Sequence, residues 1–478
     1  MNDVAQRSTT VPAVWPAGVS PVESDPAGET PAGRTGQRPV LRPGFISLLR
    51  VSLFVLIVGA TAAAEELPRI GFLGVRVNAS GRAGEGSAIT RIIDGSEAQR
   101  IGLTTNDKIL SLNGRSLDTD LDVDNFFYRQ PANARVNLEV LRDGKRLKLD
   151  ATLPPLPREN FAGLEYSYDF VRNSKGQRLR TIVTRPVGLT GKVPAIFVVG
   201  WLSCDSCEYA LPPSSGLDQL LAYLVKDSGY AVVRMDKPGV GDSEGVCAET
   251  DFKAEITGYE AAFKSIERYP FIDQERVAVV GLSNGGGFAP LAAPAARVKG
   301  YVAVGSWGRT WYEHLLAIER ESRVARGMDP AKINSDLKIL LDFYRLYLVE
   351  KQTPKEILAA HSGWKSIWDD GETTQYGRPA AFYQQLQDLN LGEAWAAVKV
   401  PVLVLRGEYD WIMPREDGYA IVESVNKGAP LAKYVELPRV THGLLQFESL
   451  GATTQGGRGE YYKPAEAIVA EFLRTVLK

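Results

Sequence analysis

Nine residues decide the fold of this chain: Val279-Val280-Gly281-Leu282-Ser283-Asn284-Gly285-Gly286-Gly287. An apolar β-type run meets G-x-S-x-G here, and residues 288–296 then have a helical pattern, so the stretch predicts a strand, a sharp turn and a helix. Glycine is expected at 281 and 285 because a Cβ at either position would collide with neighbouring backbone. The turn lifts the Ser283 hydroxyl above the sheet, and the helix N-terminus beneath it favours an anion. Ser283 is therefore the candidate nucleophile.

Outward from this turn, short β-rich runs alternate with helical stretches from residue 161 to the end. That alternation is typical of a mostly parallel sheet covered by helices. The predicted strands are 194–200, 231–236, 277–281, 301–305, 401–406 and 433–437. Two earlier runs, 164–171 and 179–187, alternate apolar and polar residues and predict antiparallel edge strands. Residues 307–395 are helical and rich in Trp and Tyr, which predicts a helical cap inserted over the sheet.

A glycine-rich loop follows the second predicted strand: Asp236-Lys237-Pro238-Gly239-Val240-Gly241-Asp242-Ser243-Glu244-Gly245. It resembles the D-x-R-G-x-G-x-S-x-G loop of the α/β-hydrolase superfamily, with Lys237-Pro238 where the superfamily more often has another pair. Together with the G-x-S-x-G turn, it makes residues 161–478 resemble an α/β-hydrolase. The resemblance implies a serine hydrolase whose catalytic residues occur in the chain order Ser, Asp, His.

The resemblance implies a role for one carboxylate and one imidazole. Asp410 follows strand 401–406 and is the expected acid, with Glu408 in the same turn as its competitor. His442 follows strand 433–437 and is the expected base, which would take the Ser283 proton as the serine attacks an acyl carbonyl. His314 and His361 lie in the predicted cap and are expected to be ordinary polar residues.

The resemblance also implies an oxyanion hole formed by backbone N–H groups. One donor is Asn284, and the second comes from the loop after strand 194–200, where Trp201 is the first candidate and Leu202 the alternative. No cofactor and no metal is expected for this chemistry.

The chain has three cysteines. Cys204 and Cys207 have no nearby histidine to complete a zinc site and no thioredoxin-like sequence around them. In the α/β-hydrolase fold the strands ending near 200 and 236 are adjacent, so the resemblance implies a disulfide between Cys204 and Cys247. Cys207–Cys247 is the alternative.

The region before the hydrolase contains its own ordered motifs. Gly71-Phe72-Leu73-Gly74-Val75 leads into a predicted strand, and Asn106-Asp107-Lys108-Ile109-Leu110 and Asn113-Gly114 follow. Residues 67–153 resemble a small, β-rich PDZ domain, most closely those of exported bacterial serine proteases. The resemblance implies that the N–H groups of Phe72, Leu73 and Gly74 bind the carboxylate of a C-terminal peptide. The alternative is that the chain's own linker, residues 154–160, occupies the groove.

The N-terminus has the composition of a processing region. Residues 1–40 are rich in Pro, Gly, Ser and Thr, and predict a disordered extension. Residues 41–64 combine basic residues, a short apolar run and a small-residue end, which predicts a secretory signal. An uncleaved anchor beginning at Ile46 is the alternative. We therefore expect a periplasmic or secreted protein with no transmembrane span after cleavage.

Composition limits the kinds of partner and substrate to be expected. A net charge of -2 over 478 residues gives no electrostatic reason to expect nucleic acid. Aromatic residues of the cap could line an acyl pocket, although most are expected in the cap's core: Trp307, Trp311, Tyr312, Trp364, Trp368, Tyr376, Phe382 and Tyr383. The first hypothesis is a hydrolase of small acyl esters. The alternatives are a peptidase of the prolyl-oligopeptidase type and a non-enzymatic PDZ scaffold of the cell envelope.

Overall fold

The computed structural model describes residues 66–79, 85–117, 126, 129–209, 213, 216–368, 370–454 and 457–478. The predicted extension (1–40) and signal (41–64) lie outside these residues. Within the described ranges, no helix is both long enough and apolar enough to span a bilayer.

Among the described residues, the N-terminal part is a six-stranded antiparallel sheet with a short helix after its second strand. Its elements are β1 (Val75–Ala79), β2 (Ser87–Ile92), α1 (Glu97–Arg100), β3 (Lys108–Leu112), β4 (Arg115–Ser116), β5 (Arg135–Arg142) and β6 (Lys145–Thr152). The strand order is β1-β2-β3-β5-β6, and β4 pairs with β3. Alternate residues of β5, among them Val136, Leu138 and Val140, are buried in the core as a half-buried strand requires.

The rest of the described chain is an α/β domain. Its strands are β7 (Leu164–Arg172), β8 (Arg178–Pro186), β9 (Val193–Val199), β10 (Ala231–Met235), β11 (Ile272–Leu282), β12 (Gly300–Val304), β13 (Thr374–Gln375), β14 (Arg378–Pro379), β15 (Val402–Gly407), β16 (Ala432–Leu437), β17 (Leu445–Gln446) and β18 (Glu460–Tyr461). Its helices are α2 (Gly216–Asp227), α3 (Phe252–Ser265), α4 (Asn284–Gly287), α5 (Ala289–Ala292), α6 (Trp311–Ala325), α7 (Pro330–Tyr344), α8 (Pro354–Ala360), α9 (Ala380–Gln387), α10 (Leu391–Ala396), α11 (Arg415–Asn426) and α12 (Pro464–Val476).

Eight of these strands form one sheet in the order β16-β15-β12-β11-β9-β10-β8-β7. The six strands from β16 to β10 are parallel, and β8 and β7 extend the sheet antiparallel. Both faces are covered. Ile196 and Val198 of β9 pack into the core beneath α2 and α12, whereas Phe197 and Val199 face the core shared with α3 and α11. The predicted mostly parallel α/β-hydrolase sheet is confirmed.

The helix after the Ser283 turn differs from the prediction. It begins at Asn284, directly after Ser283, and is broken at Phe288 (φ -100°) into α4 and α5, which ends at Ala292. Pro290 explains the break, because it has no N–H to donate to the carbonyl of Gly286.

The predicted cap lies between β12 and β15. It contains α6 to α10, the β13–β14 hairpin, a π-helical turn (Arg345–Val349) and a 3₁₀ turn (Ser362–Ile367). The helix α6 begins with a capping box in which Thr310 and Glu313 bond each other's backbone N–H. The last two helices of the segment, α9 and α10, pack on α3 and α11, so they help to cover the sheet.

Candidate active site

The Ser283 turn is held in a conformation that few residues adopt. Ser283 has φ 56° and ψ -126°, in the left-handed region. A Cβ on Gly281 would lie 2.8 Å from the Gly286 nitrogen, and one on Gly285 would lie 2.5 Å from the Val199 carbonyl oxygen. The expected reason for glycine at 281 and 285 is thus confirmed.

Three side chains from three loops meet at this turn. His442 Nε2 lies 2.9 Å from Ser283 Oγ, and His442 Nδ1 lies 3.0 Å from Asp410 Oδ2. Ser283 is only 3% exposed and Asp410 only 1%. The carboxylate accepts from Nδ1–H, which leaves the Nε2 lone pair facing the serine hydroxyl. This is the arrangement that nucleophilic catalysis by serine requires.

Hydrogen bonds to its carboxylate and to its backbone carbonyl fix the position of Asp410. Its Oδ1 accepts the N–H groups of Ile412 (3.0 Å) and Met413 (2.8 Å), and its carbonyl accepts from Arg406 (2.6 Å). Its competitor Glu408 instead accepts the Arg439 N–H at 2.7 Å. The geometry therefore selects Asp410.

The cavity in front of Ser283 distinguishes the two candidates for the second oxyanion donor. Leu202 lines this cavity together with Ser283 and Asn284, and Trp201 is not among its lining residues. In the described part of the chain, neither the Leu202 N–H nor the Asn284 N–H donates to an acceptor. The geometry therefore favours Leu202 over Trp201.

Two buried cations hold the carbonyl groups of this loop. Lys237 Nζ donates to the carbonyls of Trp201 (2.7 Å) and Ser203, and Arg378 Nη1 donates to that of Leu202 (3.3 Å). Burial lowers the pKa of Lys237 to about 8. Arg378 also forms a fully buried ion pair with Glu255. Sequence reasoning found neither role, although Lys237 stands where the loop departs from the superfamily pattern.

Cys204 and Cys247 form a disulfide, as predicted, and Cys207 is a free thiol. The bridge ties the loop that carries Leu202 to the loop after β10. Asp236 holds the same loop by accepting the Cys207 N–H (2.8 Å) and the Ser206 hydroxyl. Burial raises the pKa of Asp236 to about 6.

The cavity in front of Ser283 has a volume of about 360 Å³ and is roofed by the cap. Its walls include three of the aromatic residues named from the sequence, Trp311, Trp368 and Tyr376. Trp307, Phe382 and Tyr383 are fully buried in the core, as expected for most of this set. Six charged residues also line the cavity: Glu319, Arg323, Arg326, Lys332, Asp336 and Asp370.

The two cap histidines differ from each other. His361 is exposed and stacks on Trp364, with 4.0 Å between ring centroids. His314 is fully buried, lines the cavity, and places Nδ1 2.8 Å from Asp417 Oδ2. The expectation of an ordinary polar residue therefore fits His361 better than His314. Sequence spacing did not indicate the Asp417 contact, because 103 residues separate the partners.

The predicted carboxylate loop of the N-terminal domain is partly occupied. The Phe72 N–H donates to the Pro154 carbonyl of the linker at 2.8 Å. The prediction that this N–H is free to bind the carboxylate of a peptide is therefore wrong. The N–H groups of Leu73 and Gly74 donate to no acceptor in the described ranges. Gly74 has φ +87°, and a Cβ there would overlap Ser96.

The comparisons with known proteins match these two parts separately. Residues 175–443 match the family model described as X-Pro dipeptidyl-peptidase (S15 family), which is more than half of the chain. The chain belongs to the S15 family. Residues 71–153 match the PDZ domain model. The molecule is therefore a serine-hydrolase-type α/β domain of the S15 family, preceded by a PDZ domain.

The curated relatives match the PDZ part of this S15 protein. A protein of Pseudomonas fluorescens named "Probable periplasmic serine endoprotease DegP-like" is 37% identical over 75 residues, 16% of either chain. One of the same name from Chlamydia muridarum is 27% identical over 114 residues, 24% of this chain and 22% of the relative. The chain spans about a sixth to a fifth of the length of these relatives.

Solved structures resemble the S15 part at low identity. Est1E from Butyrivibrio proteoclasticus, solved with ferulic acid, is 17% identical, with a TM-score of 0.43 over 65% of this chain and 98% of its own. Proline iminopeptidase from Mycobacterium smegmatis is 18% identical, with a TM-score of 0.40 over 65% and 98%.

Among the residues that the structure describes, no group of three or more His, Cys, Asp or Glu side chains is placed to hold a metal ion.

Proposed function

We propose that this chain is an exported serine hydrolase that cleaves carboxylic esters of neutral acyl groups through an acyl-enzyme formed on Ser283. The observation that carries the proposal is the Ser283–His442–Asp410 geometry, which faces a cavity with aromatic residues in its walls. A volume of about 360 Å³ is at the lower end of the range for small-molecule sites.

The chemistry divides into roles for this chain's own residues. His442 accepts the Ser283 proton as Oγ attacks the acyl carbonyl, and later returns it to the leaving alcohol. Asp410 keeps Nδ1 protonated and stabilises the imidazolium that forms. The Leu202 and Asn284 N–H groups stabilise the oxyanion, and water then releases the acid from Ser283 by the same steps.

Peptide cleavage is the second candidate, and the S15 family match favours it. A dipeptidyl-peptidase must bind the free ammonium of its substrate, for which an unpaired carboxylate is the natural partner. In this cavity Glu319 is bonded to Arg323 and Tyr344, and Asp336 to Lys332. Asp370 accepts the Tyr376 N–H at 2.9 Å. Because the cavity's acids are engaged and balanced by bases, we place ester hydrolysis first.

Export and peptide docking belong to the same proposal. The Cys204–Cys247 disulfide suits an oxidising compartment, and the DegP-like relatives of the PDZ part are named as periplasmic. The free N–H groups of Leu73 and Gly74, at the start of the edge strand β1, provide two donors for the C-terminus of a peptide ligand.

One experiment tests the reaction. Purified protein is labelled with a fluorophosphonate, then assayed with p-nitrophenyl esters and with chromogenic X-Pro peptides, each beside Ser283→Ala. We expect Ser283-dependent labelling and faster turnover of esters than of peptides. Faster peptide turnover would make the second candidate correct, and absence of labelling would favour the non-enzymatic scaffold.

A further inference from the structure

The cavity contains polar atoms that the Ser283 chemistry does not use. Trp311 Nε1 and His314 Nε2 both have no hydrogen-bond partner in the described part of the chain. Both residues line the cavity, and their exposed fractions are 2% and 0%. A buried polar atom without a partner is destabilising, so two of them on residues of one cavity wall indicate a ligand.

The two side chains are neighbours. Trp311 and His314 are in the first turn of α6, three residues apart and therefore on one face of the helix. Their ring centroids are 4.7 Å apart. Trp311 stacks against Tyr383 (5.5 Å) and contacts Trp307 edge-on (4.9 Å), so its ring is held in place by the core.

The hydrogen-bonding role of each atom follows from its neighbours. An indole Nε1–H can only donate. Burial opposes ionisation of Asp417, but His314 and Arg309 outweigh it and hold its pKa well below the usual range. The ionised carboxylate accepts from His314 Nδ1–H. A ring that donates to Asp417 through Nδ1 has Nε2 as its acceptor nitrogen.

We propose that Trp311 and His314 form a specificity subsite that binds a neutral group carrying both a hydrogen-bond acceptor and a donor on the acyl part of the substrate. The inference rests on the proposed function, since it names the acyl class that Ser283 would process. The acceptor of the ligand meets Trp311 Nε1–H, and its N–H or O–H meets His314 Nε2. Either an amide or a hydroxyl has this chemistry.

Matched substrates distinguish these two sources. p-Nitrophenyl N-acetylglycinate has an amide N–H that p-nitrophenyl levulinate replaces with a methylene group. The para-hydroxyphenylpropionate ester has a hydroxyl that the para-methylphenylpropionate ester replaces with a methyl group. In at least one pair we expect the donor-bearing ester to have a kcat/KM about tenfold higher, as for one well-placed hydrogen bond.

Two variants assign the preference to the subsite. His314→Asn keeps a nitrogen near Nδ1 for Asp417 and removes Nε2, and Trp311→Phe keeps a ring and removes the donor. His314→Asn should reduce the tenfold ratio to near one, whatever its absolute rate. Trp311→Phe should do the same for the hydroxyl pair, whereas for the amide pair it should lower kcat/KM of both esters alike, because both carry the carbonyl acceptor. The control His361→Asn alters an exposed cap histidine outside the cavity lining and should keep the ratio. No preference in the wild type, or a ratio that His314→Asn retains, would overturn the proposal.

Failure of the proposed function has a different signature. If no ester is hydrolysed, the same matched methyl esters are titrated into Ser283→Ala by calorimetry, with and without His314→Asn or Trp311→Phe. Tighter binding of the donor-bearing member, lost when His314→Asn is added, would support the subsite even though ester hydrolysis had failed. Equal binding of both members would overturn the subsite as well.

Discussion

Asp410 accepts two backbone N–H groups through one oxygen and the His442 imidazole through the other. Asp410→Asn keeps the shape of the side chain, but its amide can present an N–H to Nδ1 and favours the wrong tautomer. We expect kcat for ester hydrolysis to fall by about 10⁴-fold. Steady-state kinetics with p-nitrophenyl acetate would measure it.

The matched control for this variant is Glu408→Gln in the same turn. Glu408 bonds the Arg439 N–H and does not contact His442, so its kcat should stay within about threefold of the wild type. Equal losses in the two variants would contradict the assignment of Asp410.

Asp236 predicts a pH dependence of stability. Its pKa is raised from 3.8 to about 6 by burial, so between these values the folded protein keeps a proton that the unfolded chain releases. The free energy of unfolding should therefore fall as pH rises through this window, by about 3 kcal/mol in total. Urea denaturation of wild type and Asp236→Asn, at several pH values in the window, measures the slope.

The variant Asp236→Asn should lose this part of the slope because the amide does not titrate. Asp205→Asn is the control, since Asp205 lies on the same loop and is exposed. A wild-type slope that survives in Asp236→Asn would mean that another group causes it.

At the scale of elements, the loop carrying Leu202 depends on the Cys204–Cys247 disulfide. The bridge joins cysteines 43 residues apart. A closed loop of this length is expected to contribute about 4 kcal/mol through the entropy of the unfolded chain. Cys204→Ser/Cys247→Ser should lose stability of this order in denaturant unfolding, together with kcat, because the loop that presents Leu202 is less constrained.

The third cysteine supplies the control. Burial raises the pKa of the Cys207 thiol well above its usual range, and the thiol forms no bridge. The free energy of unfolding of Cys207→Ser should still fall when reductant is added, whereas that of the double variant should not change. Reductant-insensitive wild type would show that the bridge does not contribute.

Helices and strands were predictable where the spacing and type of the apolar residues match the way the element is buried. Strand β10 was predicted as 231–236 and is Ala231–Met235, because a short, mostly apolar run of this kind suits a strand that is buried on both faces of a sheet. The helix after Ser283 was misplaced because three glycines have no helical signal of their own. They are present for close approach: a Cβ on Gly287 would lie 2.5 Å from Trp307 Cδ1.

At the scale of the whole molecule, Arg69 joins the PDZ part to the hydrolase. Its Nη1 contacts Glu208 (2.8 Å) and Asp242 (2.5 Å), and its Nη2 donates to the Leu156 carbonyl of the linker (2.7 Å). Arg69→Ala should lower the free energy of unfolding by about 2 kcal/mol. This loss is smaller than the loss expected when a buried carboxylate has no partner, because Asp242 still pairs with Arg180. The linker should also become more sensitive to proteolysis.

The control is Arg146→Ala, which removes the exposed Arg146–Glu139 pair within the PDZ sheet. Its cost should stay below about 1 kcal/mol, with no change in linker cleavage. Chemical denaturation and limited proteolysis measure both variants. If Arg69→Ala behaves like this control, the two parts are held together by other contacts.

The sequence by itself determined the fold class, Ser283 and its chain order with Asp410 and His442, and the PDZ motifs. These follow from local rules, since strand periodicity, sharp turns and loop glycines depend on neighbouring residues. The disulfide followed once the fold was assumed.

Only the tertiary structure placed Leu202, and not Trp201, in the cavity wall, showed the linker on Phe72, and brought His314 to Asp417. Each of these depends on which way a loop or a helix face points after packing. Ser283 thus has a position set by nine consecutive residues, whereas the cavity that it faces is set by side chains more than a hundred residues apart.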